Sequence, residues 1–75
     1  MPPDRLVHMA NQIGSFFATQ RGARVPEAVA EHLRKFWDPR MRSAICAHLA
    51  NGGSGLDAPV REAVALIAAG TAKTD

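Results

Sequence analysis

The chain is short of nearly everything a small domain uses to hold itself together covalently or through a bound ion. It has one cysteine, Cys46, in 75 residues, so no disulfide closes within it. No Cys pair and no His-x-x-x-His spacing offers a metal site. No apolar run approaches the roughly 20 residues needed to span a membrane. The segment Met1-Pro2-Pro3-Asp4-Arg5 has neither the charged n-region nor the apolar h-region of a secretory signal. These absences lead us to expect a soluble, cytoplasmic protein. A core this small rarely yields more than about 3–5 kcal/mol. With disulfides excluded and metals unsupported, a partner subunit is the remaining staple.

What is present is a globular composition. The hydrophobic fraction is 47%, too high for a disordered chain, and its alanine content favours helix. The net charge of +2 is too small to indicate nucleic acid. The bases are unevenly spread, however: Arg21, Arg24, Arg34, Lys35, Arg40 and Arg42 crowd the middle of the chain, opposed there only by Glu27, Glu31 and Asp38. Such a basic segment suits an acidic partner surface.

Apolar spacing is helical throughout, and no useful stretch alternates with a period of two. The expected architecture is all-α, a compact bundle of about four short helices in a single domain over residues 1–70, followed by a flexible tail over 71–75. The first helix is expected from Asp4, as its cap, to Thr19, with Leu6, Met9, Ala10, Ile13, Phe16 and Phe17 as its apolar stripe. Gly14 stands in its interior at a cost of roughly 1 kcal/mol relative to alanine. Close approach of another backbone and simple tolerance both account for it. A second helix opens near Pro26 and ends near Phe36, with Val29, Leu33, Phe36 and Trp37 as its stripe. Asp38-Pro39 then breaks the pattern, because a residue before proline is disfavoured in the α region. Asp38 can cap a third helix and Pro39 can take its first position. Asn51-Gly52-Gly53 ends that helix. Asp57 caps a fourth, Pro59 lies in its first turn, and Gly70 stops it.

The polar residues are poorly disposed for catalysis. None of Ser15, Ser43, Ser54 and Cys46 lies in a nucleophile-elbow pattern. His8, His32 and His48 fall on three different helices, in a chain too small for much of a cleft. Gly52-Gly53-Ser54-Gly55 lacks the Lys-Ser/Thr and the preceding strand of a phosphate-binding loop. No catalytic residue and no metal ligand is therefore assigned.

The informative segment is His32-Leu33-Arg34-Lys35-Phe36-Trp37-Asp38-Pro39-Arg40-Met41-Arg42. Trp, Phe, Met and Arg are the residues enriched where proteins bind proteins. Adjacent helical residues cannot both point inward, so one of Phe36 and Trp37 is expected in the core and the other at a surface. The same two helices also suggest a helix-turn-helix nucleic-acid module, which the low charge disfavours.

This segment, together with Met9-Ala10-Asn11-Gln12-Ile13-Gly14-Ser15-Phe16-Phe17 and the later Gly55-Leu56-Asp57 through Val60-Arg61-Glu62-Ala63-Val64, resembles the delta subunit of soluble NAD-dependent formate dehydrogenases. The resemblance implies a cytoplasmic complex. Its alpha subunit carries bis-molybdopterin guanine dinucleotide with molybdenum or tungsten, plus iron–sulfur clusters. Its beta subunit carries FMN and reduces NAD, and its gamma subunit carries a further cluster. The delta subunit would be a non-catalytic accessory chain with no cofactor of its own. It would dock on the alpha subunit and support assembly or stability, or alternatively assist insertion of the molybdopterin cofactor. The expected docking residues are Asn11, Gln12, His32, Phe36, Trp37, Arg40, Met41 and Arg42, with neither membrane nor nucleic acid as partner.

Overall fold

Four helix starts, each with a proline in the first turn, and one glycine-rich stop divide the chain where the local chemistry demands. The computed structural model describes the backbone of residues 3–73 and the side chains of residues 3–70. Four helices follow in order, α1 (Pro3–Ala18), α2 (Val25–Phe36), α3 (Pro39–Ala50) and α4 (Ala58–Lys73). Among the described residues there is no strand.

The boundaries have identifiable causes. α1 begins at Pro3, so Asp4 lies in its first turn rather than at its cap. A carboxylate there still faces the positive end of the helix dipole. α2 starts after Arg24, with Pro26 in its first turn. Asp38 caps α3 as expected, its Oδ1 accepting from the Met41 N–H at 2.9 Å. At the far end of α3, the Gly52 N–H bonds to Leu49 O and the Gly53 N–H to Leu49's neighbour, His48 O. This is a Schellman closure, and it requires the left-handed backbone of Gly52 and Gly53. α4 differs from expectation in running through Gly70 to Lys73. A lone glycine weakens a helix by about 1 kcal/mol without ending it, and Ala68, Ala69 and Ala72 surround it with strong helix formers. The backbone at 71–73 is thus helical, and the rest of the expected tail lies outside the described residues.

α2 packs most extensively on α4, with α1 and α3 completing the bundle. The buried core comprises Leu6, Ala10, Val29, Ala30, Leu33, Trp37, Ile45, Leu56, Val60, Ala63, Val64 and Ile67. No polar or charged side chain is buried with them among the described residues. Gly14 is buried where α1 meets α4, and a Cβ built on it would lie 2.5 Å from Val60 Cγ2. Close approach is therefore the reason for this glycine, though of the Val60 side chain rather than of another backbone. Two residues of the expected stripes are not in the core: Phe16 is 59% exposed and Phe36 is 71% exposed. Each lies at the edge of its stripe in the last turn of its helix, beyond the reach of the neighbouring elements.

Candidate docking surface

The segment from Phe36 to Arg42 folds as a tight elbow between α2 and α3. Two residues, Trp37 and Asp38, make the connection. Trp37 turns inward and is 5% exposed, while its N–H closes α2 on Leu33 O at 3.0 Å. Asp38 caps α3. Arg42 reaches back one turn, and its Nη1 donates to Arg34 O at 2.8 Å and Trp37 O at 3.0 Å. The end of a helix leaves carbonyls without intrahelical partners, and Arg42 satisfies one of α2's from the next helix while adding favourable charge at the negative end of the dipole. Met41 is half-buried against the core. Much of this motif therefore builds the elbow.

The expected docking residues accordingly separate into two groups. Asn11 is engaged within the chain: its Nδ2 donates to Gly55 O at 2.9 Å and its Oδ1 accepts from the Asp57 N–H at 3.0 Å. It ties α1 to the approach of α4. Trp37 belongs to the core and has little indole to present, while Met41 and Arg42 are only half-exposed. Gln12, Phe36 and Arg40 are exposed, and His32 is half-exposed beside Phe36.

Around Phe36 the structure assembles an aromatic row, of which the sequence reading had named His32 and Phe36 as docking residues but had left Phe16 and Phe17 in the apolar stripe of α1. Phe16 meets Phe17 edge-on at 5.3 Å, Phe17 meets His32 edge-on at 6.2 Å, and His32 lies 4.7 Å from Phe36. Phe17, Ala28, Glu31, His32, Lys35 and Phe36 line a shallow groove of about 260 Å³ there. Phe16 and Phe17 are adjacent on one helix, so one of them had to leave the core stripe. That signal was available in the sequence. Lys35 and Glu31 pair at 2.9 Å along the groove wall, and the bond to Lys35 followed by its charge holds the Glu31 carboxyl below its usual range.

A second crevice, of about 340 Å³, opens between α3 and α4 and is lined by Pro39, Arg42, Ser43, Cys46 and Ala68. Burial pushes the Cys46 thiol up, and the nearby Arg42 charge partly offsets this. A thiol held in its neutral form is a poor nucleophile. His48 Nε2 donates to Ser54 O at 2.7 Å, which fixes the loop after α3. Among the described residues no three His, Cys, Asp or Glu side chains gather as metal ligands. Nor, among them, is any helix long and apolar enough to cross a membrane.

Compared with known proteins, the chain matches the family model described as the NADH-dependent formate dehydrogenase delta subunit FdsD over residues 5–64. No curated protein and no solved structure gives a significant match.

Proposed function

We propose, from the premise that this chain belongs to the NADH-dependent formate dehydrogenase delta subunit family, that it is a non-catalytic accessory subunit. It docks on the large alpha subunit of that cytoplasmic enzyme, beside the beta and gamma subunits, and stabilises the assembled complex. The observation that carries this reading is the aromatic row of Phe16, Phe17, His32 and Phe36, in which Phe16 and Phe36 are exposed and the two between them half-buried. Monomeric proteins seldom leave large aromatics grouped at a surface unless something covers them. Covering one such side chain contributes about 1.5–3 kcal/mol, and aromatic anchors dominate binding energy at protein interfaces. Gln12 and Arg40, both exposed, supply polar contacts at the rim.

The redox groups of such a complex do not fit this chain. Iron–sulfur clusters need several thiolates, and the sequence has one cysteine. The chain carries no dinucleotide fingerprint either. Its contribution is binding energy, which shifts the partner toward its folded and assembled state by mass action.

The test is co-purification of the complex with Phe16→Ala/Phe36→Ala. Both side chains are mostly exposed, so helicity by circular dichroism stays as in the wild type while recovery of this chain with the alpha subunit falls at least tenfold. Undiminished recovery would sink the assignment of the docking face. Assembled complex lacking its molybdenum or tungsten cofactor would instead favour the maturation role.

A further inference from the structure

The elbow leaves one guanidinium edge unused. Arg42 commits Nη1 to two backbone carbonyls, Arg34 O and Trp37 O, which fixes the plane of the group. Its Nε and Nη2, the edge that meets a carboxylate with two parallel hydrogen bonds, have no partner among the described residues. Arg34 lies next to it in the fold. Its Nη2 makes one long bond of 3.4 Å to Leu66 O, and Leu66 is itself 40% exposed. Arg34 shares the field of Glu31 on its own helix, whereas Arg42 has no ion pair among the described residues, where the pair formed is that of Lys35 with Glu31. A crevice with room for one or two side chains lies directly against Arg42, with Pro39, Cys46 and Ala68 as its apolar lining and Ser43 at its rim.

We infer that the crevice between α3 and α4 seats an acidic segment of the partner polypeptide, its carboxylate forked by Arg42 and an adjacent apolar side chain lodged against Cys46 and Ala68. The inference rests on the docking reading above and adds a second contact, on different helices and of different chemistry. Charge complementarity selects the occupant. Arg42, with a free guanidinium edge and no ion pair among the described residues, favours an anionic ligand, and the apolar lining favours one carried on a polypeptide. The guanidinium is already held in place, so little side-chain entropy is lost on binding.

Ser43 is exposed at the rim and follows the first turn of α3, which makes it the position to vary. Ser43→Asp places a negative charge beside the incoming carboxylate and Ser43→Lys a positive one, while either change spares the core. In the whole complex, Ser43→Asp is expected to weaken retention about tenfold and Ser43→Lys to leave it unchanged or tighter. A photo-crosslinking residue at position 43 is expected to capture a partner peptide with Asp or Glu next to an apolar residue. Equal losses for Asp and Lys, no loss for either, or capture of a segment without an acid would overturn the acidic-segment assignment, and loss with Phe16→Ala/Phe36→Ala would then leave the aromatic docking face standing. If the wild-type chain recovers no subunit of the complex, the docking reading falls and this one with it.

Discussion

Replacing Gly14 by alanine sets two opposing effects against each other, and the structure decides which prevails. An alanine in a helix interior is favoured over glycine by about 0.5–1 kcal/mol. Against this, the new Cβ would lie 2.5 Å from Val60 Cγ2, closer than such atoms approach. Val60 is fully buried and, being β-branched, cannot swing its methyl aside without leaving its rotamer. α1 and α4 must then separate, and overpacking of this kind costs about 1–3 kcal/mol. The expected net is a loss of roughly 1 kcal/mol, which lowers Tm by about 4–8 °C in a domain of this size. Gly70 supplies the internal control. It also lies within a helix, but a Cβ there would meet Arg34 Nη2 at 3.7 Å, an ordinary contact. Gly70→Ala should therefore stabilise by up to about 1 kcal/mol. Urea titration followed by circular dichroism measures both, and Val60→Ala closes a double-mutant cycle in which the coupling with Gly14→Ala should reach at least ~1 kcal/mol. If Gly14→Ala proved as stable as the wild type, the close approach of α1 to α4 would be refuted.

Three further outcomes follow from particular bonds. Asp38→Ala removes the α3 cap and should cost about 1 kcal/mol, whereas Asp38→Ser should recover most of it. Asn11→Ala breaks both bonds between α1 and the approach to α4, and should cost about 1–3 kcal/mol with amide exchange quickening first at Asp57. The third concerns pH. The Glu31 carboxyl is held low in the folded state by Lys35, so its contribution is present above the ordinary value of 4.5 and is lost as pH falls through the folded value. The pair is exposed, so the effect is small. Lys35→Met should lose less stability than the wild type between about pH 6 and pH 3, and parallel curves would show that the pair contributes nothing.

Helix starts and stops were legible because their signals are local. Asp38-Pro39, Pro26 and Asn51-Gly52-Gly53 act through their own backbone and the next few residues. Gly70 misled because its cost is small beside the alanines around it. Exposure was harder to read. The apolar residues of α1 cover so wide an arc that periodicity alone does not say which edge neighbours reach, and Phe16 fell outside. Asn11 and Arg42 were singled out by the sequence as recognition residues. Their bonds join residues 44 and 46 positions apart for Asn11, and cross from one helix to another for Arg42. No sequence window displays pairings as distant as those of Asn11, and those of Arg42, only 8 and 5 positions long, depend on the angle of the elbow, so their structural work was hidden there. Membership of the family followed from the unusual run Phe36 to Arg42, and the structure shows that part of what makes this run unusual is the construction of the elbow.

The dominance of the α2–α4 contact has a consequence for how the chain is made. The inner face of α2, with Val29, Ala30 and Leu33, is finished by residues 60–67, so no native core can close until the last helix has emerged from the ribosome. Until then α1 to α3 are short helices of marginal stability with apolar surface uncovered, a species open to chaperone capture or aggregation. The aromatic row is a different matter, because α1 and α2 alone supply it. A nascent chain therefore carries every residue of the row before its own fold is complete.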